Sequence, residues 1–146
     1  MCHVNWSPDY AGTEADEQVI IERDREDRYH EIFNFLDQGG IVRGSWQTSS
    51  GRPVNINCLG ATNQARWTDE DVRVIWTATR PGGGRFVIGW YENARVFRRR
   101  RRGTIIYPFR PRDSVKYRSE CRASSAYLIP VADHGFQFPD FGVANP

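Results

Sequence analysis

The stretch from Val72 to Tyr91 leaves this chain little choice of local structure. Val72-Arg-Val-Ile-Trp-Thr-Ala-Thr79 is rich in β-branched and aromatic residues, which fit a pleated, half-buried surface better than a helix. Pro81-Gly-Gly-Gly84 follows and marks a turn. Phe86-Val-Ile-Gly-Trp-Tyr91 then resumes the strand pattern. Two such runs around a glycine turn read as an antiparallel hairpin.

The rest of the chain extends this β character. Gly39-Gly40 marks a turn before a strand at Ile41–Trp46, and a β-like pattern at Ile32–Phe35 precedes it. Residues 47–66 are rich in Thr, Ser, Gly and Asn and read as a long loop, with a short extended piece at Val54–Cys58. Thr68-Asp-Glu-Asp71 resembles a capping sequence for one helical turn. Ala94–Arg99, Ile105–Phe109 and Val115–Arg122 are further strand candidates, and Ser124–Leu128 reads as a short helical turn. Residues 14–31 are densely charged without clean periodicity and suit a solvated helix or a mobile loop. The tail, with Phe136, Phe138, Pro139 and Phe141, reads as an extended aromatic arm. The expectation is one α+β, β-rich domain over residues 1–146: a partly closed β-barrel with short peripheral helices behind an acidic segment, residues 1–31.

Charge is distributed unevenly. Residues 1–40 hold ten acids and three bases, whereas residues 81–122 hold twelve bases and three acids. Five consecutive arginines, Arg98–Arg102, sit in the basic block. All basic residues but Lys116 are Arg, whose planar fork pairs with phosphate and stacks on bases. A basic block with aromatic neighbours suits a polyanion carrying stackable rings. The bland alternative is a solvated face balanced by the acidic segment.

Other classes find less support. Cys2, Cys58 and Cys121 form no CxxC pair, and an odd count does not suit a disulfide framework; they read as small buried apolar residues. No zinc-ligand spacing is present, so neither a metal nor a cofactor is expected. His3, His30 and His134 are scattered, and GxSxG, HExxH and HxE…PCxxC patterns are missing. His30-Glu31 is the one acid–base pair to consider, so catalysis is not expected. No run of eighteen apolar residues exists, and the acidic N-terminus lacks a leader pattern. The expected location is the cytoplasm.

Val74-Ile-Trp-Thr-Ala-Thr-Arg-Pro-Gly-Gly-Gly-Arg-Phe-Val-Ile-Gly-Trp-Tyr-Glu-Asn-Ala-Arg-Val-Phe-Arg98 resembles a pattern of PUA-like domains. It is most similar to the EVE-type specificity domains that precede HNH nuclease domains in modification-dependent restriction enzymes. Gly89–Val96 is the specific part, while His30–Phe35 and Ala126–Pro130 are weaker flanks. The resemblance implies a PUA-like barrel that reads a modified base in double-stranded DNA, such as 5-methyl- or 5-hydroxymethylcytosine, beside an HNH or other nuclease as partner. It also implies a flipped base enclosed by aromatic side chains. Where the family more often has tyrosines beside the glycine of Val42-Arg43-Gly44-Ser45-Trp46, this chain has Arg43 and Ser45.

Flipping a base costs a few kcal/mol, and stacking returns about 1–3 kcal/mol per base. Trp46, Trp90 and Tyr91 are the candidate stacking residues. Strand alternation sends Trp90 and Tyr91 to opposite faces, which favours Trp90 for the pocket. Asn93 offers a donor and an acceptor to a base edge, Asp71 an acceptor, and Ser45 a contact to a polar modification. Arg43, Arg85, Arg95, Arg98, Arg99, Arg100, Arg101 and Arg102 are the backbone-contact candidates, with strand alternation turning some of them away. Two rivals stay open: an RNA-binding PUA-like domain, and a protein-interaction domain whose arginines pair with residues 14–31.

Overall fold

The computed structural model describes residues 1–21, 26–48, 51–69, 71–105, 113–135 and 137–138. The hairpin is its central element. Strands β3 (Val72–Thr79) and β4 (Arg85–Ile105) pair antiparallel, and the turn between them closes with Arg80 and Gly84 bonded through their backbones. β4 is 21 residues long, several times an ordinary strand. It absorbs both Phe86–Tyr91 and Ala94–Arg99, which sequence patterning separates.

A seven-stranded mixed sheet forms around β4. Strand β1 (Cys2–Val4) runs parallel to β3. Strand β5 (Asp113–Arg122) pairs with the second half of β4, and β2 (Ile41–Gly44) pairs with β5. β6 (Ala126–Leu128) and β7 (Gln137–Phe138) line the other edge of the first half of β4. The path β1-β3-β4-β5-β2 is open, so the sheet does not close into the expected barrel.

The physical reason lies between the outer strands, where turns and side chains replace a ladder. Asn5 donates through its backbone and side chain to Glu31. The Phe35 amide donates to the Tyr10 carbonyl. The Asn34 side chain then accepts from the Ser45 amide at 2.8 Å and donates to its carbonyl at 3.0 Å. One buried amide thus satisfies both backbone groups of Ser45, just beyond β2, as a strand partner would.

Helix α1 (Glu14–Ile21) starts in a capping arrangement. The Asp16 amide donates to Thr13 Oγ1, and the Thr13 amide returns a bond to Asp16, the reciprocal pattern of a capping box. Asp16 is fully buried and also accepts from Ser7 and from the amides of Asp9, Tyr10 and Ala11. A carboxylate with this many donors repays its desolvation and fixes the loop ahead of the helix.

Several local expectations change. Ile32 and Phe33 end a 3-10 helix (Glu26–Phe33) instead of starting a strand. Ile56–Leu59 forms a 3-10 turn, capped by Asn55, where an extended piece was expected. Thr68 pairs with β4 and Asp71 lies in a turn, so the described residues there form no helical turn. Ala123–Ser125 is a 3-10 turn, but Ala126–Leu128 is strand. Ile106–Phe109 and most of the aromatic tail lie outside the described residues.

The main core centres on Trp76, which is fully buried. Trp46 and Tyr91 meet it edge to face at 5.7 and 5.1 Å between centroids, an arrangement favoured by ring quadrupoles. Gly44 lies against this ring: a Cβ there would overlap the Trp76 indole and stand 2.6 Å from Ser119 Oγ. Cys121 belongs to the same core and Cys2 packs against it. Burial pushes the Cys121 thiol up to about 12 and the Cys2 thiol to about 11, the N-terminus tempering the latter. Cys58 is exposed, contrary to the expectation that all three cysteines are buried.

Two outcomes follow from this packing. Gly44→Ala should lower stability by about 1–3 kcal/mol through overpacking, read as a lower urea midpoint; a change under about 0.5 kcal/mol would mean the Trp76 ring yields freely. At pH 8, a thiol-reactive disulfide reagent should modify Cys58 quickly. Cys2 and Cys121, held as thiols, should react only as the fold opens. Rapid modification of Cys121 in the folded protein would contradict its burial.

Candidate nucleic-acid interface

The arginine block is shaped by a change of register in β4. Val96 pairs with Ser119 and Arg101 with Tyr117. Four residues of β4, Phe97–Arg100, therefore stand opposite the single residue Arg118. Such an excess forces the longer strand to bulge outward.

The bulge is held from its other edge by residues of the polar loop. The Thr68 amide donates to the Val96 carbonyl, and the Val96 amide donates to Thr68 Oγ1, both at 2.9 Å. Trp67 bridges to Phe97. The Arg98 amide donates to the Arg66 carbonyl, and the Arg98 carbonyl accepts from the Val54 amide. The Arg98 guanidinium then reaches back into the loop, donating to the Ala65 and Thr62 carbonyls and to Asn57 Oδ1. Arg98 is thus a structural clasp, although its sequence position reads as one more backbone contact.

The result is a cleft of about 550 Å³ lined by residues 63–67 and 97–101, in the size range of ligand sites. Trp67 stands in it and is 42% exposed. Phe97 supports its ring edge to face at 6.4 Å. Arg95 lies over Trp67 at 5.9 Å and Arg101 over Phe97 at 5.1 Å. Arg99, Arg100, Arg101 and Arg102 are exposed, and among the described residues none of the four pairs with a carboxylate. Arg95 is held by Glu120 at 3.5 Å. A second cleft, about 420 Å³, is lined by Gly51, Pro53, Arg99, Arg100 and Arg118.

The remaining candidates do not gather in one place. Trp46, Ser45 and Tyr91 lie together in the interior, around Trp76 and Asn34, and all three are buried. The Tyr91 hydroxyl donates to the Asn34 carbonyl. Burial, reinforced by Cys121 and Cys2, pushes the Tyr91 hydroxyl well above its ordinary range, so it acts as a donor. Trp90 is on the other face of β4, half-buried and stacked on Tyr127 at 5.2 Å with 21° between planes. Asn93 is exposed at a second bulge, with φ of 50°. There Glu92 and Asn93 stand opposite Arg73, and Asn tolerates this left-handed conformation. Asp71 is exposed in the turn that precedes β3.

Among the outlying arginines, Arg43 donates to Gln38 and lies over the Tyr117 ring at 5.4 Å. Arg85 is at the start of β4, thirteen positions before Arg98, or about 40 Å along an extended strand. Of the one considered acid–base pair, Glu31 is buried and accepts both bonds from Asn5.

Trp67 is the residue that sequence reasoning passed over. Its signal was visible: a lone tryptophan just past a polar loop, where no apolar periodicity calls for one. Compared with protein-family models, curated proteins and solved structures, the chain matches none.

Arg98→Ala should free the loop around residues 57–67 and cost about 1–3 kcal/mol. Amide hydrogen exchange should accelerate there, while Arg101→Ala leaves it unchanged. Equal acceleration in both variants would mean Arg98 is not the clasp.

Proposed function

We propose that this chain is a nucleic-acid-binding domain that grips a DNA duplex through the arginine bulge and recognises a modified, flipped-out base. The observation that carries the reading is the exposed Trp67 in a cleft rimmed by Arg99, Arg100 and Arg101. A ring for stacking and cations for phosphates occur side by side, which is what extruding and holding a base requires. Arginines without carboxylate partners among the described residues favour a polyanionic ligand over a role in internal ion pairs.

The finer part of the reading rests on the similarity of Gly89–Val96 to EVE-type, PUA-like domains. On it, the base is a modified cytosine, the fold is a variant of the PUA-like barrel, and the domain works in the cytoplasm as a stand-alone reader or as the specificity module of an HNH or other nuclease. Catalysis is assigned to such a partner. Trp67 is the first choice for the stacking ring, and Trp90 with Tyr127 the second. Trp46 and Tyr91 support the fold from within.

Affinities for matched duplexes bearing cytosine, 5-methylcytosine, 5-hydroxymethylcytosine and glucosylated cytosine, at one salt concentration, test this reading, with RNA of the same sequence as competitor. The expected result is a preference of tenfold or more, about 1.4 kcal/mol, for one modified duplex, abolished by Trp67→Ala. Flat but salt-sensitive binding would leave a general polyanion surface, stronger competition by RNA would redirect the assignment, and no binding at all would sink it.

A further inference from the structure

The single residue opposite the bulge, Arg118, has an unusual setting. It is 2% exposed, yet among the described residues its Nε and Nη1 have no hydrogen-bond partner. Its Nη2 makes only long contacts, 3.4 Å to Thr48 Oγ1 and 3.5 Å to the Arg52 carbonyl. Among the described residues no carboxylate pairs with it. Burial, with Arg100 nearby, lowers its proton affinity, so its surroundings oppose the charge instead of compensating it. A buried guanidinium is ordinarily paired. Here it borders the cleft of about 420 Å³ that Arg99 and Arg100 also line.

We propose that Arg118, Arg99 and Arg100 form a phosphate-binding pocket beneath the β4 bulge. A phosphate oxygen is the ligand that satisfies this setting. It is anionic, it accepts paired bonds from the Nε and Nη edge of a guanidinium, and its negative charge relieves the repulsion among three clustered cations. Gly51 and Pro53 form the rest of the lining and add no charge. Because Arg99 and Arg100 line both clefts, a phosphate held here would adjoin whatever occupies the cleft of Trp67. The inference rests on the nucleic-acid reading only for the source of the phosphate, a strand phosphodiester; free phosphate has the same chemistry.

The test follows the Arg118 Nε–Hε resonance of the isotope-labelled full chain, assigned with Arg118→Lys, during titration with inorganic phosphate and, separately, with a short unmodified DNA duplex. A saturable shift with both is expected. In parallel, Arg118→Gln should reduce the slope of log affinity against log salt for the duplex by about 0.9, one phosphate contact, a change that loss of packing alone would not produce. A shift with duplex alone would identify the strand as the source. A shift with inorganic phosphate in a protein that does not bind duplex would keep the pocket and remove the nucleic-acid reading. A duplex that binds while the Arg118 resonance stays still, with an unchanged salt slope in Arg118→Gln, would overturn the pocket and leave that reading intact. If neither probe moves the resonance and no duplex binds, both are overturned.

Discussion

The distinctive parts of this molecule depend on how β4 changes partners between Ala94 and Arg95. Up to Ala94 the strand is paired with β3, and from Arg95 it is paired with β5. At the junction Thr68 takes the place of a strand neighbour, giving one backbone bond and one hydroxyl bond to the same residue. A threonine side chain can stand in for a ladder carbonyl because its oxygen accepts as a carbonyl does. That substitution lets the loop take over the edge of β4 where β3 ends, and the loop then holds the four residues that bulge, through Trp67 at Phe97 and through Arg66 and Val54 at Arg98. Without it, Arg98–Arg102 would alternate between two faces of a regular strand. With it, the arginines are spread along a rim with an aromatic ring beside them.

The interior meets a different demand. Trp76, Trp46 and Tyr91 place three large rings in one core, and the chain makes room by omitting a side chain at Gly44. Polar groups enter the same region only when they join distant segments. Asn34 bonds Ser45, and its own carbonyl accepts from Tyr91; Asp16 gathers the loop around Ser7–Thr13. Each is buried and each has several partners, as low-dielectric surroundings require. These contacts also explain why an open sheet is stable here: the gap between β1 and β2 is spanned by satisfied backbone, so closing it with further strand pairing would gain little.

Sequence alone made the hairpin legible because β-branched runs and three consecutive glycines are local signals. It made the basic block legible because charge is additive along a chain. The clasp at Arg98 was not legible. Its partners, Asn57, Thr62 and Ala65, are more than thirty positions away in a loop with no periodicity. Trp46 and Tyr91 read as candidate stacking residues because an aromatic looks the same in sequence whether it faces a ligand or a core. Only long-range pairing with Trp76 decides between them. The same holds for Arg118, which in sequence is one more basic residue of β5. Its position opposite four residues of β4 is a matter of register, and register across a bulge is not written locally.

The outer strands of the sheet carry a further consequence. β1 has three residues and β2 has four, and beyond each the backbone turns inward to bond with Glu31 or Asn34. An exposed strand edge is an invitation for another polypeptide to add itself to the sheet. A protein with this much β structure and so many aromatic residues would be vulnerable to that kind of templated association. Short edges whose ends are already occupied offer a newcomer too few free amides to start, so the long central strand is guarded by neighbours that are themselves poor templates.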